Sequence, residues 1–490
     1  MGQCATFPAV ADPFADRGRA VLPSSQAGGR DMSRRITFEW ECQPVAEALV
    51  AGWWEELLAA APPLVALELS ACESAWLRLP DLADHLVVAD GAVPRQRLLA
   101  AGFEASGDET AEGDTAFRHP GTILPAVLLR QGNAPAGRVL GVALKVERIA
   151  AFLAAQEIAA ETAGSPLAPL RVARVWAGED VEITAVERRG STGFVPVTEA
   201  PERAVELLAG MERWQARWRW GTDPGGAMAE MLGLARRLAG ELGVDRAAWA
   251  VFAVERANWA RRNRAARVQR ARQDQLGFGW ANHDHHTFRS SREHFPVLIA
   301  ILEALGFQPR ERFYAGGEAG WGAQVMAQPA CELVVFADVD LSSEEIEGDF
   351  GHRGLEPRGE LGTIGLWCAL HGESMLAAGL HHVAARLAFE AASAGLARHG
   401  VAMMAPFSSL PFLRQAFTEG ERWGVTPQRL ATLRGRDGVD DVALGRFAAS
   451  GALGSHLEDI ERNQGFGGFN QERVSDIIRR TDPRLGPPGA

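Results

Sequence analysis

Three short stretches of the chain combine histidines and carboxylates in a pattern that could hold a metal ion. They are NHDHHTFR at residues 282–289, LHHVAARL at 380–387 and SHLEDIER at 455–462. Each has the composition of a β-strand, in which successive side chains point to opposite faces. One face of each stretch would therefore carry a potential ligand.

The potential ligands are His285, His382 and Glu458. If they converge, they form the two-histidine, one-carboxylate face that binds Fe(II) and leaves adjacent positions open for O2 and a substrate. Glu458 is preferred because strand alternation places Asp459 and Glu461 on the opposite face. The alternative for each histidine is an ordinary core or surface role.

Alternation also places further residues relative to this face. His283 and His456 fall on the ligand faces and are candidates for orienting a ligand or bound oxygen. Asp284, His286 and His381 point away from it.

Two arginines four residues beyond the histidines could bind a substrate carboxylate. Arg289 and Arg386 have the planar fork that pairs with carboxylates, although a salt bridge within the barrel is an equal alternative. Gln324, on a predicted strand, could also hydrogen-bond to a substrate.

A glycine-rich stretch follows the third strand. It reads GFGGFN at residues 465–470 and leads into a predicted short helix through Val474 and Ile478. Such a segment can close a cavity, and Phe466, Phe469 and Asn470 are candidates for substrate contact. Core packing is the alternative for both phenylalanines.

Composition restricts the remaining function classes. The chain has 490 residues, 47% of them hydrophobic, and a net charge of -12, so nucleic acid and an anionic membrane are not favoured partners. Five widely spaced cysteines without a CxxC pair are typical of reduced thiols in the cytoplasm. The expected localisation is therefore cytoplasmic.

The order of predicted elements indicates an α+β protein with an internal repeat of about 55 residues. Strand, helix and further strands form a βαβββ unit, and two such units pair into one half-open barrel. We expect a disordered leader at 1–31 (or a start at Met32), then a barrel without metal at 32–199. A helical insert at 200–276 and a metal-binding barrel with a closing helix at 277–490 complete the chain.

The first barrel is predicted to lack a metal because its ligand set is incomplete. His85 occupies the place of a first-strand ligand, but the matching position in the next unit is Gly141. His85 is therefore expected to be a partly buried histidine that binds no metal.

First-strand histidines in two successive units and a last-strand glutamate resemble the vicinal oxygen chelate superfamily. The stretches at 382–384 and 457–470 are similar to 4-hydroxyphenylpyruvate dioxygenases, and the DHxxFR pattern at 284–289 resembles 2-oxoadipate dioxygenase/decarboxylases (hydroxyglutarate synthases). In the second group the histidine is a ligand and the arginine holds a substrate carboxylate. The resemblance covers residues 280–480 well and 80–190 in outline.

The resemblance implies an Fe(II)-dependent dioxygenase that oxidises a small 2-oxo acid, or a related carboxylic acid, with loss of CO2. The partners would be that acid and O2, and a homo-oligomer is compatible with such a fold. Two alternatives keep the fold: an extradiol dioxygenase, or a glyoxalase-type isomerase with another divalent metal. A third is a binding protein without catalysis.

Overall fold

The computed structural model describes residues 40–217, 223–470 and 481–484. Two eight-stranded mixed sheets contain nearly all of the β-structure, and four helices separate them in the chain. The predicted leader and most of the predicted closing helix lie outside the described ranges.

The first sheet is built from two βαβββ units. Its strand order is β2-β3-β4-β1-β5-β8-β7-β6, with β1 and β5 antiparallel at the centre and β4 and β8 parallel to them on either side. The elements are α1 (Pro44–Ala60), α2 (Pro62–Ala75), β1 (Ala83–Ala89), α3 (Ala92–Ala100), β2 (Glu104–Ala105), β3 (Thr115–Arg118), β4 (Ala126–Arg130), β5 (Val139–Lys145), α4 (Ile149–Ala155), β6 (Thr162–Ala163), β7 (Leu170–Ala177) and β8 (Glu182–Arg188).

One predicted helix in this half is shorter than expected. The sequence pattern extends it from Ile149 to Glu161, whereas α4 ends at Ala155. Glu157 has a φ of 54°, a left-handed conformation that a continuing helix cannot accommodate. The chain turns there and enters β6.

The helical insert consists of α5 (Pro201–Gln215), α6 (Pro224–Leu242), α7 (Val244–Arg262) and α8 (Arg264–Gln275). Helix α7 is largely buried, and its Phe252 packs against the rings of His286, Phe288 and Phe307. The insert therefore covers one side of the second sheet. Its tryptophans and arginines serve packing and ion pairs at several positions.

The second sheet repeats the first in its central order, β12-β9-β13-β16, again with the two middle strands antiparallel. Its elements are β9 (His283–Arg289), α9 (Phe295–Ala304), β10 (Gln308–Tyr314), β11 (Trp321–Gln328), β12 (Leu333–Asp340), α10 (Thr363–His371), β13 (His382–Arg386), α11 (Phe389–Arg398), β14 (Leu413–Phe417), β15 (Glu421–Trp423), α12 (Pro427–Leu433), α13 (Asp441–Ser450) and β16 (Ala452–Arg462).

The α+β fold class predicted from the sequence is confirmed. Each sheet consists of paired βαβββ units, which is the architecture expected of the vicinal oxygen chelate fold. The fourth unit is enlarged, because α12 and α13 are inserted before its last strand. The segment between the third and fourth units forms α10 and a π-helical turn at Ser374–Ala378.

Within the described residues, no single helix is both long enough and apolar enough to cross a membrane. The helices Pro44–Ala60 and Pro62–Ala75 meet the length and composition requirement only as a pair, and they are bent by 112° at their junction.

Candidate metal centre

Three side chains converge on the inner face of the second sheet. The Nε2 atom of His285 lies 3.1 Å from Oε2 of Glu458, Nε2 of His382 lies 3.2 Å from the same oxygen, and the two nitrogens are 3.3 Å apart. All three residues are at most 9% exposed. The structure thus brings together the three ligands predicted from the sequence.

Adjacent strands account for this convergence. β13 lies between β9 and β16, with His382 opposite Thr287 on one side and Ala384 opposite Glu458 on the other. Side chains that point to the same face of neighbouring strands come within a few ångströms of each other. The three central strands therefore each contribute one donor.

The donor set fits a divalent metal ion. Ligand atoms about 2.1 Å from a shared metal and at right angles to one another lie about 3.0 Å apart, close to the spacing of these three atoms. His285 Nδ1 is directed at the Asp284 carboxylate, so Nε2 can present a lone pair to the cluster. Converging lone pairs repel one another unless a cation or a proton lies between them.

The pKa values of His285 and Glu458 also favour a bound cation. Burial lowers the pKa of His285, but the carboxylates of Glu458 and Asp284 outweigh it and raise that pKa to about 9. Burial raises the pKa of Glu458, and the two histidines reverse the effect and bring it to about 2. Without a metal the cluster thus retains a proton, which a bound cation would displace.

A β-bulge in β9 changes the pattern expected from strict alternation. Asp284 and His285 together oppose Ala384, because His286 pairs with Val383 and His283 pairs with Ala385. Asp284, expected on the far face, instead contacts His285 Nδ1 at 2.9 Å. His283 turns away and packs against His286, at 5.3 Å between ring centroids.

The triad opens into a cavity of about 70 Å³. Six aromatic side chains line one part of its wall: Phe313, Trp321, Phe336, Phe407, Phe417 and Phe469. The other lining residues are polar, and besides the three donors they are Thr287, Arg289, Asp338, His381, Gln415, Asn470 and Thr481. The cavity suits a small molecule with an apolar body and a charged end.

Arg289 and Asp338 stand side by side in this wall. Arg289 is 2% exposed, and its Nε lies 3.7 Å from Oδ2 of Asp338. Within the described residues Nε and Nη1 of Arg289 and Oδ1 of Asp338 make no hydrogen bond. Burial raises the pKa of Asp338 to about 8 despite the nearby guanidinium. Buried donors without partners are suited to an anionic ligand.

Gln415, which the sequence did not indicate, holds the third candidate ligand, Glu458. Its Nε2 donates a hydrogen bond of 2.9 Å to Oε1 of Glu458, leaving Oε2 directed at the histidines. Only the pairing of β14 with β16 reveals this contact, because Gln415 lies far from any ligand in sequence. Thr287, whose Oγ1 is 3.0 Å from His382 Nε2, also lies at the centre.

Two of the three residues predicted from the glycine-rich stretch line the cavity. Phe469 meets the His285 ring edge-on at 5.0 Å, and Asn470 donates a hydrogen bond of 2.7 Å to the Phe407 carbonyl. Phe466 instead packs against Phe412, 4.8 Å away, in a separate small cluster.

The remaining predicted residues lie elsewhere. Gln324 donates a 3.0 Å hydrogen bond to the Glu311 carbonyl and does not line the cavity, and neither does Arg386. His456 Nδ1 bonds to the Thr418 carbonyl at 2.9 Å, and its ring contacts His381. His456 therefore supports the wall behind the ligands.

The first sheet has the same strand register without the same donors. Val87 pairs with Gly141 as Thr287 pairs with His382, and Ala143 pairs with Thr184 as Ala384 pairs with Glu458. His85 therefore faces glycine and threonine where His285 faces two ligands. A Cβ at Gly141 would lie 2.6 Å from the Glu182 carbonyl oxygen, so the position excludes a side chain.

The paired βαβββ units and this donor set define a vicinal oxygen chelate fold with a candidate metal centre in its second half. No family profile and no curated protein matches the chain. Solved structures similar to it include a triple mutant of 4-hydroxymandelate synthase from Streptomyces coelicolor, 14% identical with a TM-score of 0.26, covering 83% of this chain and 99% of that chain.

Two further structures match smaller parts. A putative hydrolase from Shewanella frigidimarina is 15% identical with a TM-score of 0.31, over 46% of this chain and 98% of its own. Methylmalonyl-CoA epimerase from Mycobacterium tuberculosis is 13% identical with a TM-score of 0.22, over 37% and 88% respectively. At such values the fold description rests on the strand order itself.

Proposed function

We propose that this chain is a non-heme Fe(II)-dependent dioxygenase that oxidises a small 2-oxo acid, or a related carboxylic acid, with decarboxylation. The main support is that the open side of the His285–His382–Glu458 cluster faces a cavity that also contains a buried arginine. Two imidazoles and one carboxylate suit Fe(II) and leave positions for two reactants.

Some residues of the site would hold the metal, and others would orient its ligands. His285, His382 and Glu458 hold the metal, and Gln415 and Asp284 fix the orientation of two of these ligands. Bound Fe(II) would supply adjacent positions for O2 and a chelating oxo acid, together with redox chemistry that the side chains lack.

Arg289 is the proposed anchor for a carboxylate of the substrate. Its Nε and Nη1 make no hydrogen bond in the described part of the chain, so a substrate carboxylate could accept from either atom without breaking an existing bond. The adjacent Asp338 has a raised pKa and adds little opposing charge at neutral pH. Arg289 lies in the same wall as the metal ligands, which orients the bound acid relative to them.

The aromatic wall would exclude water during the reaction. Phe336 and Phe469 both contact the His285 ring, at centroid distances of 5.0 Å. A reactive oxidant is protected from side reactions when the cavity around it is dry. Phe469 and Asn470 belong to the glycine-rich stretch and would complete this enclosure.

The test is anaerobic reconstitution of the full chain with Fe(II), followed by iron quantification and by O2 and CO2 measurements across a panel of 2-oxo acids. We expect one iron per chain and equal O2 consumption and CO2 release with at least one acid. His382→Ala should lose both. His352→Ala is the matched control, because that side chain is 49% exposed and pairs with Glu303 and Asp349, away from the cluster.

Other outcomes would identify the alternatives. O2 uptake with catechols and no CO2 release would indicate extradiol cleavage, and turnover without O2 would indicate an isomerase. Iron retention with no turnover on any of these compounds would indicate a binding protein without catalysis.

A further inference from the structure

A buried ion pair stands directly behind the ligand His285. Arg462 donates from Nε and Nη2 to the two carboxylate oxygens of Asp284, each at 2.9 Å, and Asp284 Oδ1 accepts from His285 Nδ1 at 2.9 Å. The Arg462 and Asp284 side chains are 4% and 6% exposed. A bidentate pair fixes the plane of the carboxylate, and hence the direction from which it accepts the imidazole proton.

The same arginine holds the segment that encloses the cavity. Its Nη1 donates to the Gly468 carbonyl, and its guanidinium carbon lies 4.9 Å from the centroid of the Phe469 ring. Phe469 in turn packs edge-on against His285. Arg462 therefore contacts both the partner of a ligand and the backbone beside the cavity.

The first half of the molecule contains a copy of this arrangement. Arg188 pairs with Asp84 at 2.6 and 2.8 Å, Asp84 contacts His85 Nδ1 at 2.7 Å, and Phe194 meets the His85 ring edge-on at 4.9 Å. The other two ligand positions in that half are Gly141 and Thr184, as the strand register shows. The copy has the same internal contacts without a metal cluster, which makes it a natural control.

We infer that Asp284 and Arg462 are positioning residues for the metal centre. Asp284 keeps the proton of His285 on Nδ1, so that Nε2 presents its lone pair to the cluster. Arg462 keeps the carboxylate in that orientation and links it to the segment at residues 468–469. The inference rests on the proposed function only in requiring that the triad binds a divalent metal, and not on the reaction it performs.

Asp284→Asn is the substitution that tests this pairing most directly. Both oxygens of Asp284 accept hydrogen bonds from Arg462, and Oδ1 also accepts from His285. An amide nitrogen in either place would face a donor of Arg462. The amide would therefore turn its NH2 group toward His285 or break the pairing, and either result disturbs the imidazole.

The test compares Asp284→Asn and Arg462→Gln with the matched variants Asp84→Asn and Arg188→Gln. Co(II) affinity of the metal-free full chain is measured by competition with a chromophoric chelator. We expect the first pair to bind Co(II) about 10- to 100-fold more weakly than wild type, and the second pair to bind as wild type does. Thermal unfolding identifies any variant that does not fold, and Arg462→Lys, which keeps the charge but not the fork, replaces Arg462→Gln in that case.

A spectroscopic measurement separates positioning from loss of stability. In protein labelled with ¹⁵N-histidine, His285 should show a downfield Nδ1 proton resonance, assigned by its loss in His285→Ala, that is absent from Asp284→Asn and retained in Asp84→Asn. Unchanged affinity in Asp284→Asn, or equal losses in both halves, would overturn the inference. Metal binding without dioxygenase activity would contradict only the proposed reaction.

Discussion

Asp338 is a carboxyl group of the cavity with a pKa far above the usual value for aspartate. It is 2% exposed, and burial raises its pKa to about 8, although Arg289 lies 3.7 Å away. Burial of the carboxyl group outweighs the guanidinium, which lowers the same pKa from 3.7 Å away. The carboxyl group is thus held ready for a third participant, which in the proposed function is the substrate.

The raised pKa makes folding stability depend on pH. An unfolded aspartate has a pKa near 3.9, so between about pH 4 and pH 8 the folded chain holds a proton at Asp338 that the unfolded chain has lost. This contribution is complete below the unfolded pKa and is lost as the pH rises through the folded value. Asp338→Asn cannot ionise and should escape the loss.

Urea unfolding of the metal-free protein and of Asp338→Asn at about pH 5 and pH 8.5 measures the effect. Relative to wild type, the variant should gain at least about 1.4 kcal/mol of unfolding free energy between the two pH values, the equivalent of one pKa unit. A difference between the two proteins that is independent of pH would show that Asp338 is ionised in the folded chain.

At the scale of elements, the sequence predicted most strands and the three candidate ligands, because their spacing follows the βαβββ repeat. It did not predict the bulge in β9, since one extra residue leaves no signature in an alternating pattern. That bulge brings the Asp284 carboxylate into contact with the His285 ring and turns the His283 side chain away from the cluster. Gln415 was missed for a related reason: its contact with Glu458 depends on strand pairing rather than on spacing.

The helical insert supports the cavity from behind. Arg217, just beyond α5, donates from Nε to the Met375 carbonyl in the π-helical turn, at 3.0 Å. Ser374 in that turn accepts a 2.8 Å hydrogen bond from the Arg289 backbone. Arg217 also pairs with Glu255 of α7 at 2.5 Å, and the two side chains are 1% and 0% exposed. The insert is thereby linked to the strand that carries the proposed substrate anchor.

Arg217→Ala should therefore lower the free energy of unfolding, because it leaves the Glu255 charge buried without its cation. Breaking such a pair typically destabilises a protein by about 3 to 5 kcal/mol. Arg213→Ala is a control in the adjoining helix α5, since its pair with Glu241 has side chains 43% and 46% exposed and should contribute less than about 1 kcal/mol. Urea unfolding of both variants decides the point, and equal losses would contradict it.

At the scale of the whole molecule, two similar halves differ in what they can bind. Both contain a bulge that presents an Asp-His pair, and both provide an arginine from the last strand of the sheet. Only the second half adds His382 and Glu458. Gly141 in the first half leaves no room for a side chain, so the asymmetry is built into the backbone packing as well as the residue types.

This asymmetry predicts that each chain binds one metal ion and that the second half alone binds it. His85→Ala should retain one equivalent of Fe(II) after anaerobic reconstitution and desalting, because Gly141 and Thr184 occupy the other two ligand positions of the first sheet. His285→Ala should retain little, because it removes one of three ligands from a buried cluster that also includes Glu458. The two substitutions are closely matched, since each histidine bonds through Nδ1 to the preceding aspartate, at 2.7 and 2.9 Å. Equal iron contents in the two variants, or two equivalents in wild type, would show that the first half also binds metal.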